Sequence, residues 1–440
     1  MASHSILVIT QSVIVLGAGP AGLAAAYRLT LRGHRVTLIS DSPAIGDHLR
    51  REGDPPHAIL GCHHATWSLL RSLGIPSFPT KFGEATLEFL LPNGRLVRYP
   101  KTRFPTPLHQ VLTIGRFAGL SWGERWKLLS WLEQIWEGSL QLATDLEHRV
   151  AQDWLESSSQ DRSVIRNIWN PLAHWLTGND LRDLSADAFV ASVKPFFLSH
   201  ATDSRIFVPR QPWQETFVQP IADHLAKCGT TVLLGNQATQ LQYEQERVTG
   251  LRISDGRFLQ ADWYVMAVPQ HQLTPLLPER WLTRYAYFQQ IVELTTKPYT
   301  LIQVRAPGTI QAPRHILIGA GPFPWIVCKR SESDQSLIAV LTLPHDQSPI
   351  ETEQEVSRLL KSLGILQAET QISGFRQQEM AHAVLSLQPG TKVRRPIQSS
   401  PIPNLLLAGA WTDTAWPANL ESAIVSGNRC AQIISDHKTA

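Results

Sequence analysis

The chain has 440 residues and a net charge of +3, so it is long enough for two or three domains and too weakly charged to suggest nucleic acid binding. Its hydrophobic content of 43% is that of an ordinary globular protein. The sequence shows neither a signal peptide pattern nor a run of about 18 apolar residues. We therefore expect a cytoplasmic protein that crosses no membrane, and peripheral contact with the inner face of a membrane stays open.

The first predicted elements surround a glycine-rich turn, Gly17-Ala18-Gly19-Pro20-Ala21-Gly22, which lies between an apolar run and a run of small residues. Gly17 permits a tight turn, Gly19 lets the backbone approach a pyrophosphate, and Gly22 lets the following helix pack closely on a sheet. Arg35–Ile39 is the second strand of this predicted βαβ unit. The combination favours a dinucleotide site over a simple tight turn.

At the end of the second strand, a carboxylate should bind the ribose of a dinucleotide. The chain has the uncharged Ser40 there, followed by Asp41. If Asp41 does not turn toward the ligand, a charge-assisted hydrogen bond becomes a neutral one worth about 1 kcal/mol. We expect weaker binding at a site that other contacts can still maintain.

The central part of the chain is predicted to be mostly helical. We expect a helix from Ala65 to Leu73, a hairpin formed by Leu87–Leu91 and Leu96–Tyr99, and helices over residues 110–200. Within this region, one face of a predicted helix carries four large apolar residues. Such a stripe is more typical of core packing than of contact with a bilayer or of the lining of a tunnel. The four residues are Trp122, Trp126, Leu129 and Trp136, whereas Trp131 points the other way.

The second half begins with further strands and helices of nucleotide-fold pattern. Four later β-rich runs predict an antiparallel sheet. The predicted elements in chain order are a helix from Gln214 to Lys227, the strand Thr231–Leu234, a ribbon around Asp255-Gly256, the strand Trp263–Val268, the four runs Leu301–Val304, His315–Ile318, Trp325–Lys329 and Leu337–Leu343, the helix Thr352–Leu363, the strand Asn404–Ala410 and a last helix from Asn419.

The C-terminal segment, residues 407–427, combines a buried strand, a glycine turn at Gly409 and a helix. A helix N-terminus carries about half a positive charge. Placed at the carbonyl edge of a flavin ring, it would stabilise the reduced anion. An ordinary strand, loop and helix unit explains the segment equally well.

Together with the N-terminal turn, this segment resembles the flavoprotein superfamily of amine oxidases and carotenoid desaturases, in which both chain ends meet around FAD. Internal segments extend the resemblance over nearly the full length and are most similar to the hydroxysqualene dehydroxylases. These segments are Leu60-Gly61-Cys62-His63-His64-Ala65-Thr66, Leu69-Leu70-Arg71-Ser72-Leu73-Gly74, Phe104-Pro105-Thr106-Pro107-Leu108-His109, Ile168-Trp169-Asn170-Pro171-Leu172 and Phe207-Val208-Pro209-Arg210.

The chain departs from the family pattern at expected flavin contacts. The family has Glu at Ser40, Gly-Gly-Arg at Gly46-Asp47-His48, Asp at Ala410 and Asp-Asn-Gly-Gln-His at Gly53-Asp54-Pro55-Pro56-His57. Asp47 brings negative charge toward phosphate, and Ala410 removes a polar contact. These departures predict weakened FAD binding.

The resemblance implies an α/β fold: a Rossmann-like FAD-binding domain, discontinuous in sequence, interrupted by an α+β substrate domain with an antiparallel sheet. We assign residues 1–78, 205–270 and 395–440 to the first domain, and residues 79–204 and 271–394 to the second. It implies catalytic roles for His57, as proton donor, and for Trp416, in the pocket. Trp325 is a further pocket candidate, but core packing is the more typical role for it. The implied cofactor contacts are Gly17, Gly19, Pro20, Ala21, Gly22, Ser40, Asp41, Gly46, His48, Ala238, Gly409, Ala410, Leu420 and Ala423.

The implied activity is FAD-dependent reduction of hydroxysqualene to squalene, a long apolar isoprenoid. Loss of the hydroxyl needs an acid, leaves a cation that aromatic side chains can stabilise, and needs a hydride from the flavin. Two alternatives stay open. One is a carotenoid-type desaturase, and the other is a non-catalytic lipid-binding protein with an eroded flavin site.

Other reactive residues are given structural roles. The four cysteines, Cys62, Cys228, Cys328 and Cys430, lack metal-binding or disulfide spacing and are expected to be buried thiols. His63 and His64 are expected to be solvated or capping histidines, and no metal is expected. Glu421, in the first turn of the last helix, is expected to be a favourable helix-dipole charge rather than a base.

Overall fold

The computed structural model describes residues 10–46, 58–76, 80–100, 104, 108–137, 145–307, 315–319, 321, 323–330, 335–342 and 348–437. Two short π-helical segments, Ile165–Trp169 and Gln214–Val218, lead into longer helices. The elements of the first half are β1 (Ser12–Leu16), α1 (Pro20–Leu31), β2 (Arg35–Ile39), β3 (Ile59–Leu60), α2 (His64–Ser72), β4 (Phe82–Glu84), β5 (Thr86–Leu90), β6 (Leu96–Arg98), α3 (Leu108–Arg116), α4 (Trp122–Glu137), α5 (Ala151–Ser157), α6 (Arg162–Val164), α7 (Asn170–Thr177), α8 (Ala186–Leu198) and β7 (Ile206–Pro209).

The second half begins with strands that return to the first sheet and then builds another. Its elements are α9 (Gln219–Lys227), β8 (Thr231–Leu233), β9 (Ala238–Glu244), β10 (Arg247–Ile253), β11 (Phe258–Leu259), β12 (Trp263–Met266), α10 (Gln270–Leu273), α11 (Glu279–Arg284), α12 (Ala286–Val292), β13 (Thr296–Pro307), β14 (His315–Gly319), β15 (Trp325–Arg330), β16 (Gln335–Thr342), α13 (Pro349–Ser362), β17 (Gly374–Leu385), α14 (Thr391–Arg394), β18 (Leu405–Leu407) and α15 (Leu420–Asp436).

A five-stranded sheet in the order β18-β12-β1-β2-β8 brings distant parts of the chain together. All neighbouring pairs are parallel, so the carboxyl ends of the strands lie along one edge, where α/β sheets bind ligands. α1 crosses from β1 to β2 and has Leu23 to Ala26 completely buried. The predicted Rossmann-like sheet is confirmed.

A seven-stranded sheet in the order β17-β13-β16-β15-β14-β5-β6 forms a second layer. The four predicted β-rich runs are β13 to β16, and each adjacent pair among β13, β16, β15 and β14 is antiparallel. The predicted hairpin is β5 and β6, and β5 pairs with β14 in parallel. α13 covers one face through Val356 and Leu360, which pack against Ile302, Val304 and Ile338. The sequence did not predict β17.

The helix α4 buries the opposite face from the one predicted. Trp122 and Trp126 are 78% and 74% exposed, whereas Trp131 is 2% exposed. The Trp131 ring packs against Trp154 and Trp169, at centroid distances of 5.5 and 4.9 Å. The core interpretation of the tryptophan stripe is therefore wrong, because helical spacing defines a face without showing which face meets the core. The buried face consists of Leu128, Trp131, Leu132 and Ile135.

The cysteine prediction is correct for three of the four thiols. Cys62, Cys328 and Cys430 are free and buried, but Cys228 is free and exposed because it follows the last turn of α9 at the surface.

In the described part of the chain, no helix combines the length and the apolar content needed to span a bilayer.

Candidate functional site

The glycine turn lies at the carboxyl end of β1 and leaves the N-terminus of α1 open. Gly17 has a φ of +108°, and a Cβ there would lie 2.4 Å from the Ala267 carbonyl oxygen. A Cβ on Gly22 would lie 1.8 Å from the Gly17 carbonyl oxygen. A Cβ on Gly19, by contrast, would meet no heavy atom of the described residues within 4 Å, and none of their side chains caps the helix. Two glycines allow close packing, and the third faces open space.

The end of β2 carries no charge directed inward. Ser40 is 5% exposed, and its hydroxyl oxygen accepts a hydrogen bond from the Ser42 amide at 3.3 Å. Asp41 is exposed. The Asn236 amide donates to the Ser40 carbonyl at 2.8 Å, which places buried Ala238 two residues from this point. Gly46 has a φ of +66° and packs against Val218.

The loop after β18 begins at the same edge of the sheet. Gly409 has a φ of +151°, and a Cβ there would lie 2.4 Å from the indole nitrogen of Trp411. That nitrogen donates to the Val268 carbonyl at 3.0 Å, which ties the loop to the end of β12. The Ala410 carbonyl accepts hydrogen bonds from the Arg395 guanidinium and from the Ser422 hydroxyl, at 3.0 and 3.1 Å.

A single guanidinium organises this loop. Arg395 donates to the carbonyls of Ala410, Thr412 and Trp416 at 3.0, 2.7 and 2.7 Å, and to the Trp411 carbonyl at 3.3 Å. Burial lowers the pKa of Arg395 to about 10, so it stays charged at neutral pH. Its hydrogen-bond partners here are neutral oxygens, and the nearby carboxylates of Asp413, Glu147 and Asp187 partly offset the effect of burial on its pKa.

The last helix begins beside this loop. Asn419 caps α15 by accepting a hydrogen bond from the Ser422 amide at 2.9 Å. Leu420 is half-buried and Ala423 is buried in the first turn. Glu421 is 2% exposed and accepts hydrogen bonds from the Ala65 and Thr66 amides, at 2.7 and 2.9 Å.

Glu421 thus joins the N-termini of two helices, α15 and α2, at one carboxylate. The Thr66 hydroxyl also donates to it, at 2.6 Å. Burial raises the pKa of the Glu421 carboxyl against the hydrogen bonds that favour its charged form. The expected helix-dipole role fits its position in α15, but the bonds to α2 were not predicted because the two segments are 355 residues apart in sequence.

The histidine pair before α2 separates into two environments. The His64 side chain is 71% exposed and lies 3.7 Å from Asp203, as expected for a solvated histidine. His63 is 4% exposed, and although it directly precedes α2, its side chain makes no capping hydrogen bond to that helix. The expectation of a solvated or capping side chain is therefore wrong for His63. Its ring makes an edge contact with Trp416, at 5.6 Å between ring centroids and 88° between ring planes.

A small cleft lies beside α3. Its lining includes Leu87, Tyr99, His109, Ile206 and the ion pair between Arg205 and Glu84, at 2.8 Å. The strand β7 connects the cleft with the histidine loop, residues 61–63 between β3 and α2. Ile206 pairs with Leu60, and the Gly61 amide donates to the Arg205 carbonyl at 2.8 Å.

The remaining predicted site residues are not all near this arrangement. His57, Asp47 and His48 lie outside the described residues. Trp325 is half-buried on β15 and packs with the core clusters around Tyr299 and Ile318. Trp416, the other predicted pocket residue, lies within the loop after β18, and Arg395 donates to its carbonyl.

Comparisons with known proteins agree with this geometry. The profile of the family described as flavin containing amine oxidoreductase matches residues 20–435. The chain belongs to this family. Zeta-carotene desaturase of Synechocystis is 24% identical over 482 aligned residues, covering 96% of this chain and 96% of the relative. The 15-cis-phytoene desaturase of Glycine max is 24% identical, covering 96% of this chain and 79% of the relative.

Solved structures show the same fold. A putrescine oxidase double mutant has a TM-score of 0.75 at 17% identity, covering 97% of this chain and 99% of that structure. An oxidoreductase from Methanosarcina mazei has a TM-score of 0.73 at 13% identity, covering 96% of this chain and 100% of that structure. The protein is an FAD-dependent oxidoreductase of the superfamily that includes carotenoid desaturases, and the predicted FAD cofactor is confirmed.

The residues present fit the pyrophosphate of a dinucleotide at the glycine turn. The uncapped N-terminus of α1 directs backbone amides toward the space beside Gly19, and amides at a helix N-terminus favour anions. The individual cofactor contacts stay predictions. Sequence patterns gave no signal for Arg395 or for the burial of His63, since both depend on segments far apart in the chain.

Proposed function

We propose that the protein oxidises a long apolar isoprenoid by carotenoid-type desaturation. The observation that carries this proposal is the similarity to desaturases over 96% of the chain. Such a reaction removes a hydride and a proton from adjacent carbons, and an external acceptor must then take up two electrons. Reductive dehydroxylation of hydroxysqualene is the second candidate, favoured by the resemblance of residues 60–74 and 104–109 to that branch.

The cofactor would be held between the two chain ends. We propose that Gly17, Gly19 and Gly22 admit the pyrophosphate, and that the loop from Gly409 and the N-terminus of α15 contact the ring system. The remaining proposed contacts are Pro20, Ala21, Ser40, Asp41, Gly46, His48, Ala238, Ala410, Leu420 and Ala423. Bound flavin supplies a hydride acceptor or donor. The domain limits given above stay a proposal, supported by the positions of the five parallel strands within the three FAD-binding ranges.

The substrate would enter by the cleft beside α3. Aromatic side chains on its route, Tyr99 in the cleft and Trp416 beside the histidine loop, suit a polyene and would also stabilise a developing allylic cation. His57 stays a proposed proton donor. Arg395 would hold the backbone of the loop that contacts the flavin, through its bonds to the Ala410, Thr412 and Trp416 carbonyls.

The exposed tryptophans support contact with a membrane surface. Trp122 and Trp126 stand on α4 next to α3, on which Leu108 and Val111 are 52% and 44% exposed. His109 and Thr113 of α3 line the cleft, so this apolar face lies beside the route by which a lipid-soluble substrate would arrive. We propose that the face binds phospholipid. Trp122→Ser with Trp126→Ser should reduce sedimentation with phospholipid vesicles, whereas Ile350→Ser, at a residue 69% exposed on α13, should not.

Turnover by the purified holoprotein separates the two reactions. Anaerobic incubation with phytoene or zeta-carotene and a quinone acceptor should lengthen the conjugated polyene, which absorbance of the extracted product measures. Incubation of chemically reduced holoprotein with hydroxysqualene should give no squalene. Squalene without desaturated product would support the second candidate, and flavin-loaded protein that does neither would contradict both.

A further inference from the structure

His63 carries a buried ring nitrogen that the described part of the chain leaves without a partner. Its Nδ1 accepts a hydrogen bond from the Leu60 amide at 3.3 Å. The proton of the neutral ring is thereby assigned to Nε2, and Nε2 has no hydrogen-bond partner among the described residues. Buried donors of this kind are rarely left unpaired in native proteins.

The histidine is neutral under ordinary conditions. Burial lowers the pKa of His63 to about 3, with a smaller contribution in the same direction from His64. A neutral imidazole with its proton on Nε2 can donate one hydrogen bond at that atom and is a poor proton donor in catalysis. Its chemistry at neutral pH is therefore hydrogen bonding rather than acid catalysis.

The position of His63 connects the C-terminal loop with the cleft. The ring touches Trp416 on one side, and the start of α2, which follows His63 in the chain, is held by Glu421 from the start of α15. On the other side, Leu60, which bonds its Nδ1, pairs with Ile206 in the cleft wall. His63 therefore contacts the proposed cofactor loop through Trp416, and the strand just before it pairs with the cleft wall at Ile206.

We propose that the Nε2–H of His63 donates a hydrogen bond to an acceptor oxygen or nitrogen of a ligand bound between the C-terminal loop and the cleft. Two ligands have such an atom: the flavin ring and an alcohol substrate such as hydroxysqualene. A hydrocarbon polyene has none. A hydrogen bond to the flavin requires only that the cofactor is bound. A hydrogen bond to an alcohol rests on the second candidate under the proposed function, dehydroxylation of hydroxysqualene.

Three variants test this donor. His63→Phe keeps an aromatic ring against Trp416 but removes the donor, and His63→Gln restores an N–H near the same place. His64→Gln is the matched control, because its side chain is exposed. With full-length protein, we expect His63→Phe to weaken FAD binding about tenfold, His63→Gln to recover most of that loss, and His64→Gln to leave the dissociation constant unchanged.

The readouts are the FAD dissociation constant, the flavin absorbance spectrum and the melting temperature of the apoprotein. FAD binding could be unchanged in His63→Phe while the ratio of the dissociation constants of squalene and hydroxysqualene falls about tenfold. The alcohol is then the acceptor. If neither changes, or if His63→Gln is as impaired as His63→Phe and both melt lower, the donor role is wrong. Absence of desaturase turnover would overturn the proposed reaction without affecting the FAD measurement.

Discussion

The two chain ends prepare the candidate site in different ways. At the glycine turn, the absence of side chains creates the site: Gly17 and Gly22 allow contacts that any Cβ would block, and Gly19 leaves space. At the C-terminal loop, side chains create it: Arg395 gathers four carbonyls, and Asn419 caps α15. Gly17 and Gly22 therefore tolerate no added carbon, whereas the C-terminal loop depends on keeping its hydrogen-bond donors.

The largest expected effect follows from adding one methyl group to the turn. In Gly22→Ala, the new Cβ would lie 1.8 Å from the Gly17 carbonyl, a backbone atom that cannot move without displacing β1 and α1. We expect destabilisation of about 3 kcal/mol, at the upper end of the range for overpacked sites, because the clash is with backbone. Urea denaturation measures it. Gly123→Ala is the control, since no described heavy atom lies within 4 Å of the added carbon in α4. A Gly22→Ala protein as stable as the parent would contradict the packing described.

The next effect comes from removing the guanidinium. Arg395→Met keeps the length of the side chain but leaves several carbonyls unpaired, and we expect a loss of about 3 kcal/mol. Thermal unfolding of the apoprotein measures this loss without the cofactor. The matched control is the neighbouring Arg394→Met, which breaks a partly exposed ion pair with Glu293 and should cost less than about 1 kcal/mol. Equal costs for the two variants would show that Arg395 does not organise the loop.

The third prediction concerns pH. Unlike the glycine turn, a hydrogen-bonded carboxylate such as that of Asp180 should make stability depend on pH. Asp180 accepts hydrogen bonds from His174 at 3.3 Å and from Arg182 at 2.9 Å. Burial opposes its ionisation, but these bonds outweigh burial and hold the pKa of Asp180 well below its usual range. Its stabilisation should therefore be complete above the unfolded-state pKa of about 3.9 and decline as pH falls below it.

Asp180→Asn should lower the unfolding free energy by about 2 kcal/mol at pH 7. The deficit relative to the parent protein should shrink on acidification, as denaturation at several pH values would show. Asp183→Asn is the control, because that carboxylate forms an exposed ion pair with Lys297. A deficit that does not change with pH would indicate that the lost interaction does not depend on ionisation.

The smallest effect on stability should be the most informative about the cofactor. In Gly19→Ala, the φ of −77° suits alanine and the new Cβ meets no heavy atom of the described residues within 4 Å, so we expect a change below about 1 kcal/mol. If that space admits the pyrophosphate, FAD affinity should fall about tenfold or more. Equilibrium dialysis measures the affinity. Unchanged binding would place the pyrophosphate elsewhere.

The difference between the two chain ends also explains what could be predicted. The glycine turn, the hairpin of β5 and β6, and the start of α15 follow from local chemistry, so the sequence predicted them. The contacts of Arg395 with carbonyls have no sequence signal, because every residue has a carbonyl. The bond from Glu421 to Thr66 joins helices far apart in the chain. The exposed Trp122 shows a further limit: the helical period defined a face, but only the packing of Trp131 shows which face is buried.

Flavin retention by the purified protein tests the central claim, that the two chain ends form an FAD site. Absorbance after desalting, followed by addition of FAD to the desalted protein, measures it. We predict one oxidised flavin per chain, retained or restored by added FAD, despite Ser40 and Ala410 in place of the family acids. A colourless protein that cannot take up FAD would contradict the claim and support a lipid-binding protein with an eroded site.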